Sequence, residues 1–203
     1  SPINYGGMQL KNRIIFAPTT FGLSDEEYLS KIRAIAQGGC AMIIVGDVPV
    51  GKSKFEKSLF DAKGFAFYQK IVKIAHDADC KVCAQLHQSD SNLLAMFKYI
   101  PGVLLKKITP DQLREKLNAE VAPYITKMSK RKIQTILSGF GKAAVLAKQA
   151  GFYMIQVHGD RVCGSFRSAL FNHRTDEYGG SADKPAPFCG GGGPAPPSAA
   201  VLQ

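Results

Sequence analysis

Long uninterrupted apolar runs are missing from this 203-residue sequence: none reaches the roughly 18 residues that a membrane-spanning helix needs. The first residues lack a charged segment followed by an apolar stretch, so no secretory signal is expected. Cysteines are few. The five present are odd in number and scattered, which speaks against a disulfide framework and for reduced thiols in a cytoplasmic protein. Acidic residues are also scarce, 16 against 26 Lys and Arg, for a formal charge of +10. Yet the lysines are neither blocked together nor interleaved with aromatics along one stripe, so no nucleic acid is expected as partner. The excess reads as a solvated basic surface, with an anionic partner such as a phosphorylated cofactor as the alternative. What is plentiful is apolar material, 45% of the chain, enough for one domain with a sizeable core.

Hydrophobic spacing places that material in alternating elements. Arg13 to Pro18 reads as a short buried strand. Ser24 and Glu27 form a capping box, the helix after it carries Tyr28, Ile32, Ile35 and Ala36 at helical spacing, and Gly38-Gly39 stops it. Ala41–Val45 is a second buried strand, ended by Gly46-Asp47; a helix covers Phe65–Ala78; Lys81–Leu86 is a third strand. After an excursion over 89–108, rich in apolar residues such as Leu93, Met96 and Phe97, Thr109 caps a short helix with Pro110 at its first position. A long helix spans roughly Ser129–Ala150, with Ile133, Ile136, Leu137, Phe140, Ala144 and Ala147 as its apolar stripe. Gly151 breaks it, and Tyr153–Val157 is the fourth strand.

Continuous apolar strands alternating with helices imply a parallel sheet covered by helices. Polar residues follow every strand: Thr19-Thr20, Gly46-Asp47, Gln85 to His87, and His158 to Arg161. In a parallel α/β fold those strand ends share one face, where active sites are built. Four βα units make about half of a (β/α)8 barrel, which needs about 250 residues when complete. The expected domain is therefore a partial barrel over 1–188, and the Gly/Pro-rich 189–203 segment, without periodicity or charge, is set apart as an unstructured tail.

Three motifs need weighing. Gly46 to Ser53 matches the phosphate-loop pattern G-x-x-x-x-G-K-[ST] after a strand, which would make the chain a nucleotide hydrolase. Pro49 removes an amide that such a nest requires, and Val48 and Val50 stiffen a loop that must curl. Cys80-Lys81-Val82-Cys83 looks like a metal or redox pair, but at a strand start residues three apart point to opposite faces. Both are read as core thiols, and no metal is expected. His158-Gly159-Asp160-Arg161 gathers a hydrogen-bond donor, an acid and a fixed cation at one strand end, which points to chemistry rather than packing.

With these residues in view, the chain resembles the old yellow enzyme and 2,4-dienoyl-CoA reductase group of flavin oxidoreductases. Lys11 to Thr20 is similar to the group's first barrel strand and Gln85-Leu86-His87 to its third strand end. Val157 to Ser181, which includes Asn172-His173-Arg174-Thr175-Asp176-Glu177-Tyr178-Gly179-Gly180-Ser181, resembles its most distinctive signature. The resemblance implies an FMN-binding barrel that takes hydride from NADH or NADPH and passes it to the activated C=C bond of an unsaturated carbonyl compound. It implies that Pro18, Thr19 and Thr20 line the flavin ring, with Thr20 bonding its carbonyl edge. Gly46 and Val48 would meet the ring through their backbone, and Gln85 would bond its pyrimidine end. His158 and Arg161 would grip the substrate carbonyl, while Arg174 and Asp176 brace the signature loop.

The sequence departs from the group's pattern at several places. Cys163 stands where a proton-donating tyrosine is expected, and Asp90 replaces a glycine. The later strands, with their basic residue and phosphate-binding loops, are not in this sequence, nor is an iron–sulfur cysteine cluster. The expectation is thus an FMN-dependent reductase present as a fragment, which by itself would bind FMN weakly or not at all. A homo-oligomer or a non-enzymatic half-barrel remnant, dimerising to close its edges, is the remaining alternative.

Overall fold

The structure, a computed structural model, describes residues 1–54, 56–89, 93–179 and 199–201, with the backbone alone for 93–96 and 199–201. The chain divides into two compact units, one of Ser1–His87, Thr135–His158 and Pro197–Gln203, the other of Gln88–Gln134 and Gly159–Pro196.

The first unit opens with a hairpin of β1 (Ile3–Tyr5) and β2 (Met8–Leu10), paired antiparallel with Tyr5 opposite Met8. Its two-residue turn is Gly6-Gly7, both at positive φ (57° and 86°), the conformation a tight hairpin demands. The main sheet follows in the order β3 (Ile15–Phe16), β4 (Met42–Pro49), β5 (Lys81–His87), β6 (Met154–Val157), all parallel. Sequential order and parallel sense are those expected of a barrel wall. A short β7 (Ala199–Val201) lies antiparallel on the free edge of β6; the rest of the 189–203 segment is outside the described residues.

Alternation along these strands sorts the core. Ile43, Val45, Val82, Ala84 and Leu86 point to one face, where they pack with Ile32 and Ala36 of α1 (Asp25–Gln37), Tyr68, Ile71, Val72 and Ala75 of α2 (Ala62–His76), and Ala143 and Ala147. The last two belong to α6 (Lys130–Ala150), whose residues from Thr135 onward lie in this unit. Each fully buried Ile, Leu or Val here stabilises by roughly 1.5–3 kcal/mol. Met42, Cys83 and Met154 point to the other face, covered near the strand starts by Met8 and Leu10 of the hairpin. Cys80 and Cys83 therefore sit in different apolar clusters. The Cys80 sulfur lies 3.6 Å from that of Cys40, and burial, then the Cys40 thiol, pushes the Cys80 thiol up to about 12.

The helix signals hold in detail. Ser24 and Glu27 make both bonds of the capping box on α1, and Asp61 caps α2, which begins three residues before the expected start. The end of β4 differs from expectation. Val45 pairs with Ala84 but Val48 with Leu86, so Gly46 and Asp47 together oppose Gln85. That is a β-bulge, and the strand continues through it to Pro49 instead of stopping at Gly46-Asp47. Asp47 takes φ 54°, a left-handed conformation that Asp tolerates better than most residues. The bulge also disposes of the phosphate-loop reading. Gly46 to Pro49 is ladder, not nest, and the next helix does not begin until Ala62.

The second unit is helical. The excursion over 89–108 contains α3 (Leu93–Leu104), with Pro101 inside it and Phe97 and Leu104 exposed. Then come α4 (Pro110–Ala119), with its Thr109–Gln112 capping box, and α5 (Val121–Thr126). The first turn of α6 and α7 (Arg161–Arg167) complete the set.

Candidate active site

The carboxyl ends of β3, β4 and β5 bring four of the expected residues together within the first unit. A Cβ placed on Gly46 would stand 3.1 Å from Pro18 Cβ, 3.6 Å from the Thr19 amide nitrogen and 3.7 Å from Gln85 Oε1. Gly46 thus sits in a close cradle of Pro18, Thr19 and Gln85 with little room for any side chain. Gln85 is buried and shares the inward face of β5 with Cys83. Its Nε2 donates to Gln156 Oε1 at 2.8 Å, which fixes the amide and leaves its own oxygen and second N–H for a ligand. Thr20 donates its hydroxyl to Asp47 Oδ2 at 3.2 Å. Thr19, Thr20, Gly46 and Asp47 open into a cavity of about 320 Å³ whose aromatic wall includes Phe21, Tyr28, Phe67 and Tyr68.

Two more expected residues of this unit stand at the same strand ends. Val48 has its side chain in the helix-facing core, so only its main chain is on offer. His158 follows β6, half-buried, and its amide donates to Leu86 O at 2.9 Å. Beside them His87 is buried, with Nε2 3.5 Å from Glu56 Oε1.

Arg161 and Cys163 belong to the second unit. Arg161 starts α7, exposed, at φ 57°, an unusual conformation for a bulky side chain. Cys163 is buried on the inner side of α7 with Val162 and Phe166.

In the same unit the signature segment is tied down tightly. Arg174 Nη1 donates to the carbonyls of Ile125, Thr126 and Met128 at 3.1, 3.0 and 2.6 Å. Its Nε and Nη2 fork onto Asp176 at 2.9 and 2.5 Å, and this bond holds the Asp176 carboxyl below the usual carboxylate range. Asn172, buried, bridges the carbonyls of Phe166 and Tyr178, and Gln134 bonds the Tyr178 hydroxyl. Every one of these contacts is internal bracing.

The sequence profile of the NADH:flavin oxidoreductase / NADH oxidase family matches residues 1–190. The chain belongs to that family. Among its relatives is a bilirubin reductase of Clostridium symbiosum (strain WAL-14163), 56% identical over 188 residues, which are 92% of this chain and 50% of that one. A bilirubin reductase of Mediterraneibacter gnavus (strain CC55_001C) is 32% identical over 187 residues, covering 89% of this chain and 28% of the other. Solved structures with this fold include Old Yellow Enzyme from Pichia sp. AKU4542, at TM-score 0.70 and 23% identity, covering 92% of this chain and 53% of that one. Morphinone reductase follows at TM-score 0.68 and 22% identity, covering 92% and 55%. The fold is thus an Old Yellow Enzyme-type barrel in part, and the chain spans half the length or little more of most of these relatives.

The strand ends of the first unit suit the ring of FMN, the cofactor of this family. A flavin pyrimidine edge carries one N–H donor between two carbonyl acceptors, and the Gln85 amide, held by Gln156, offers the matching acceptor and donor. Asp47, noted only among the polar residues after strands, was not nominated for the site, and Gln156 was missed by sequence reasoning. A lone Gln inside the apolar β6 run was the available sign of the second; Asp47 was taken for a strand terminator, and nothing local announces a bulge.

Proposed function

We propose that this chain supplies the flavin-ring half of an FMN-dependent reductase that uses NADH or NADPH to reduce a C=C bond of a bilirubin-type linear tetrapyrrole. The observation that carries the reading is the convergence of Pro18, Thr19, Gly46 and Gln85 on one cradle, in a chain 56% identical to a bilirubin reductase. Bound FMN would accept hydride from the nicotinamide and deliver it to carbon. The protein's part is to hold the ring by Gln85 and the backbone of Gly46, and to keep water from its buried edge.

A tetrapyrrole of this kind fits the enone or dienoyl class. Each outer methine double bond is conjugated through a ring double bond to a lactam carbonyl, so hydride added at its far carbon sends electrons to that oxygen. His158 is assigned to donate to the carbonyl oxygen. Arg161 is assigned to the substrate's acidic side chains, for which a guanidinium is the fitting partner. Cys163 is offered as proton source on position alone; a Cys163→Ala variant with unchanged rate and pH profile removes it from that role. The reduced thiols suit a cytoplasmic setting.

The test is anaerobic. Protein loaded with FMN is bleached with NADH, then mixed with bilirubin, and return of the flavin band with loss of bilirubin colour is expected. Failure to take up FMN even in a chain extended through a complete barrel refutes the flavin reading. Flavin re-oxidised by 2-cyclohexenone but not by bilirubin refutes the substrate alone.

A further inference from the structure

Asp47 is an acid in a costly place. It occupies the extra position of the β4 bulge at φ 54°, where glycine would be relaxed and a non-glycine residue costs on the order of 1 kcal/mol or more. It lines the same cavity as Thr19, Thr20 and Gly46. Of the other acids that line it, Asp25 is paired with Lys57, itself a lining residue, at 2.5 Å and Glu56 lies 3.5 Å from His87 Nε2, whereas the ion pairs among the described residues do not include Asp47. Its one hydrogen-bonded side-chain partner there is the Thr20 hydroxyl.

Hydrogen-bond arithmetic then fixes the direction of that contact. A carboxylate only accepts, and a threonine hydroxyl has a single proton to give. While Asp47 is ionised, the Thr20 proton is committed to it and is withheld from any other acceptor in the cavity. We infer that Asp47 is a positioning residue that turns the Thr20 hydroxyl away from the flavin and so makes the bound ring harder to reduce. The inference rests on the flavin reading given above. Reduction places negative charge on the ring, which donors stabilise and a nearby carboxylate opposes. Diverting the Thr20 donor to Asp47 therefore disfavours reduction.

The experiment is a double-mutant cycle on the FMN-loaded protein, reading the ratio of reduced to oxidised flavin against a reference dye. Asparagine keeps the shape of Asp47 and tolerates positive φ, and its amide donates to the Thr20 oxygen, which frees the hydroxyl proton. Asp47→Asn is expected to raise the ratio of reduced to oxidised flavin about tenfold at a fixed potential, about 30 mV for a two-electron couple. Thr20→Val is expected to shift the ratio far less in the original background than in Asp47→Asn, where it should undo a large part of the gain. A ratio within twofold of the parent in Asp47→Asn overturns the inference. A gain that survives Thr20→Val in full also overturns it, because Asp47 then acts by charge alone. FMN uptake is measured first on every variant. A parent protein that takes up none even when extended through a complete barrel refutes the flavin reading itself, whereas a loaded protein with an unmoved ratio refutes this inference only.

Discussion

Replacing Arg174 by alanine would remove one guanidinium and orphan several buried partners at once. Three carbonyls at 2.6 to 3.1 Å would lose their shared donor, and Asp176 would lose both arms of its fork. The Arg174 side chain is only 7% exposed, so water replaces these bonds poorly. Hydrogen bonds to a charged group are worth about 1.5–3 kcal/mol each, but they share one side chain and do not add. Breaking a buried, fully paired charge costs about 3–5 kcal/mol, a large share of the roughly 5–15 kcal/mol that holds a domain together. Arg174→Lys keeps the charge but not the fork, so it should recover less than half of the loss. Urea unfolding followed by far-UV circular dichroism measures the total. Hydrogen exchange over 121–134 asks whether the loosening begins in the segment that Arg174 holds. A loss below about 1 kcal/mol for alanine, or lysine performing as well as arginine, would refute the bracing argument.

Gly64→Ala should cost about 3 kcal/mol or more and lower the melting temperature, because a Cβ there would sit 2.2 Å from the Ser58 carbonyl oxygen and 2.6 Å from its amide nitrogen, both rigid backbone. Gln85→Leu is expected to weaken FMN binding about tenfold or more by fluorescence titration, through a lost ring contact and a stranded Gln156. The pH dependence of the signature follows from Asp176, whose carboxyl Arg174 holds below its usual range. Its folded pKa is depressed, so its contribution is complete above the ordinary carboxylate value of about 3.9 and is lost as pH falls through the depressed one. The stability gap between the parent and Asp176→Asn should therefore be constant near neutrality and close in acid; a gap that widens in acid contradicts the pairing.

Much of this architecture was legible in the sequence because it rests on local rules. Ser24 with Glu27 and Thr109 with Gln112 announce helix starts through bonds spanning three residues, and both boxes are present. β4 and β5 showed as apolar runs because both of their faces are covered, one by helices and one in part by the hairpin; the buried strand expected over Arg13–Pro18 is instead only Ile15–Phe16, with Ile14 and Ile15 exposed. Pro18, Thr19, Gly46 and Gln85 were nominated by resemblance and by their place after strands, and the first unit brings them together. What escaped notice depended on partners distant in sequence. The bulge at Gly46-Asp47 exists only relative to the β5 register, and Gln156 gains meaning only opposite Gln85, 71 residues away. The β1–β2 hairpin was missed although Gly6-Gly7 between short apolar runs is a turn signal. The α5 helix, six residues with no side-chain cap, left no local mark to read.

The hairpin has a practical corollary. Met8 and Leu10 act as a stopper over the strand-start end of the inner sheet surface, beneath which Cys83 is fully buried and its thiol is pushed up to about 12. Trimming the chain to begin at Lys11 would uncork that end, and Cys83 would become open to alkylation by iodoacetamide while the opposite mouth, with Thr20 and Gln85, stayed as built.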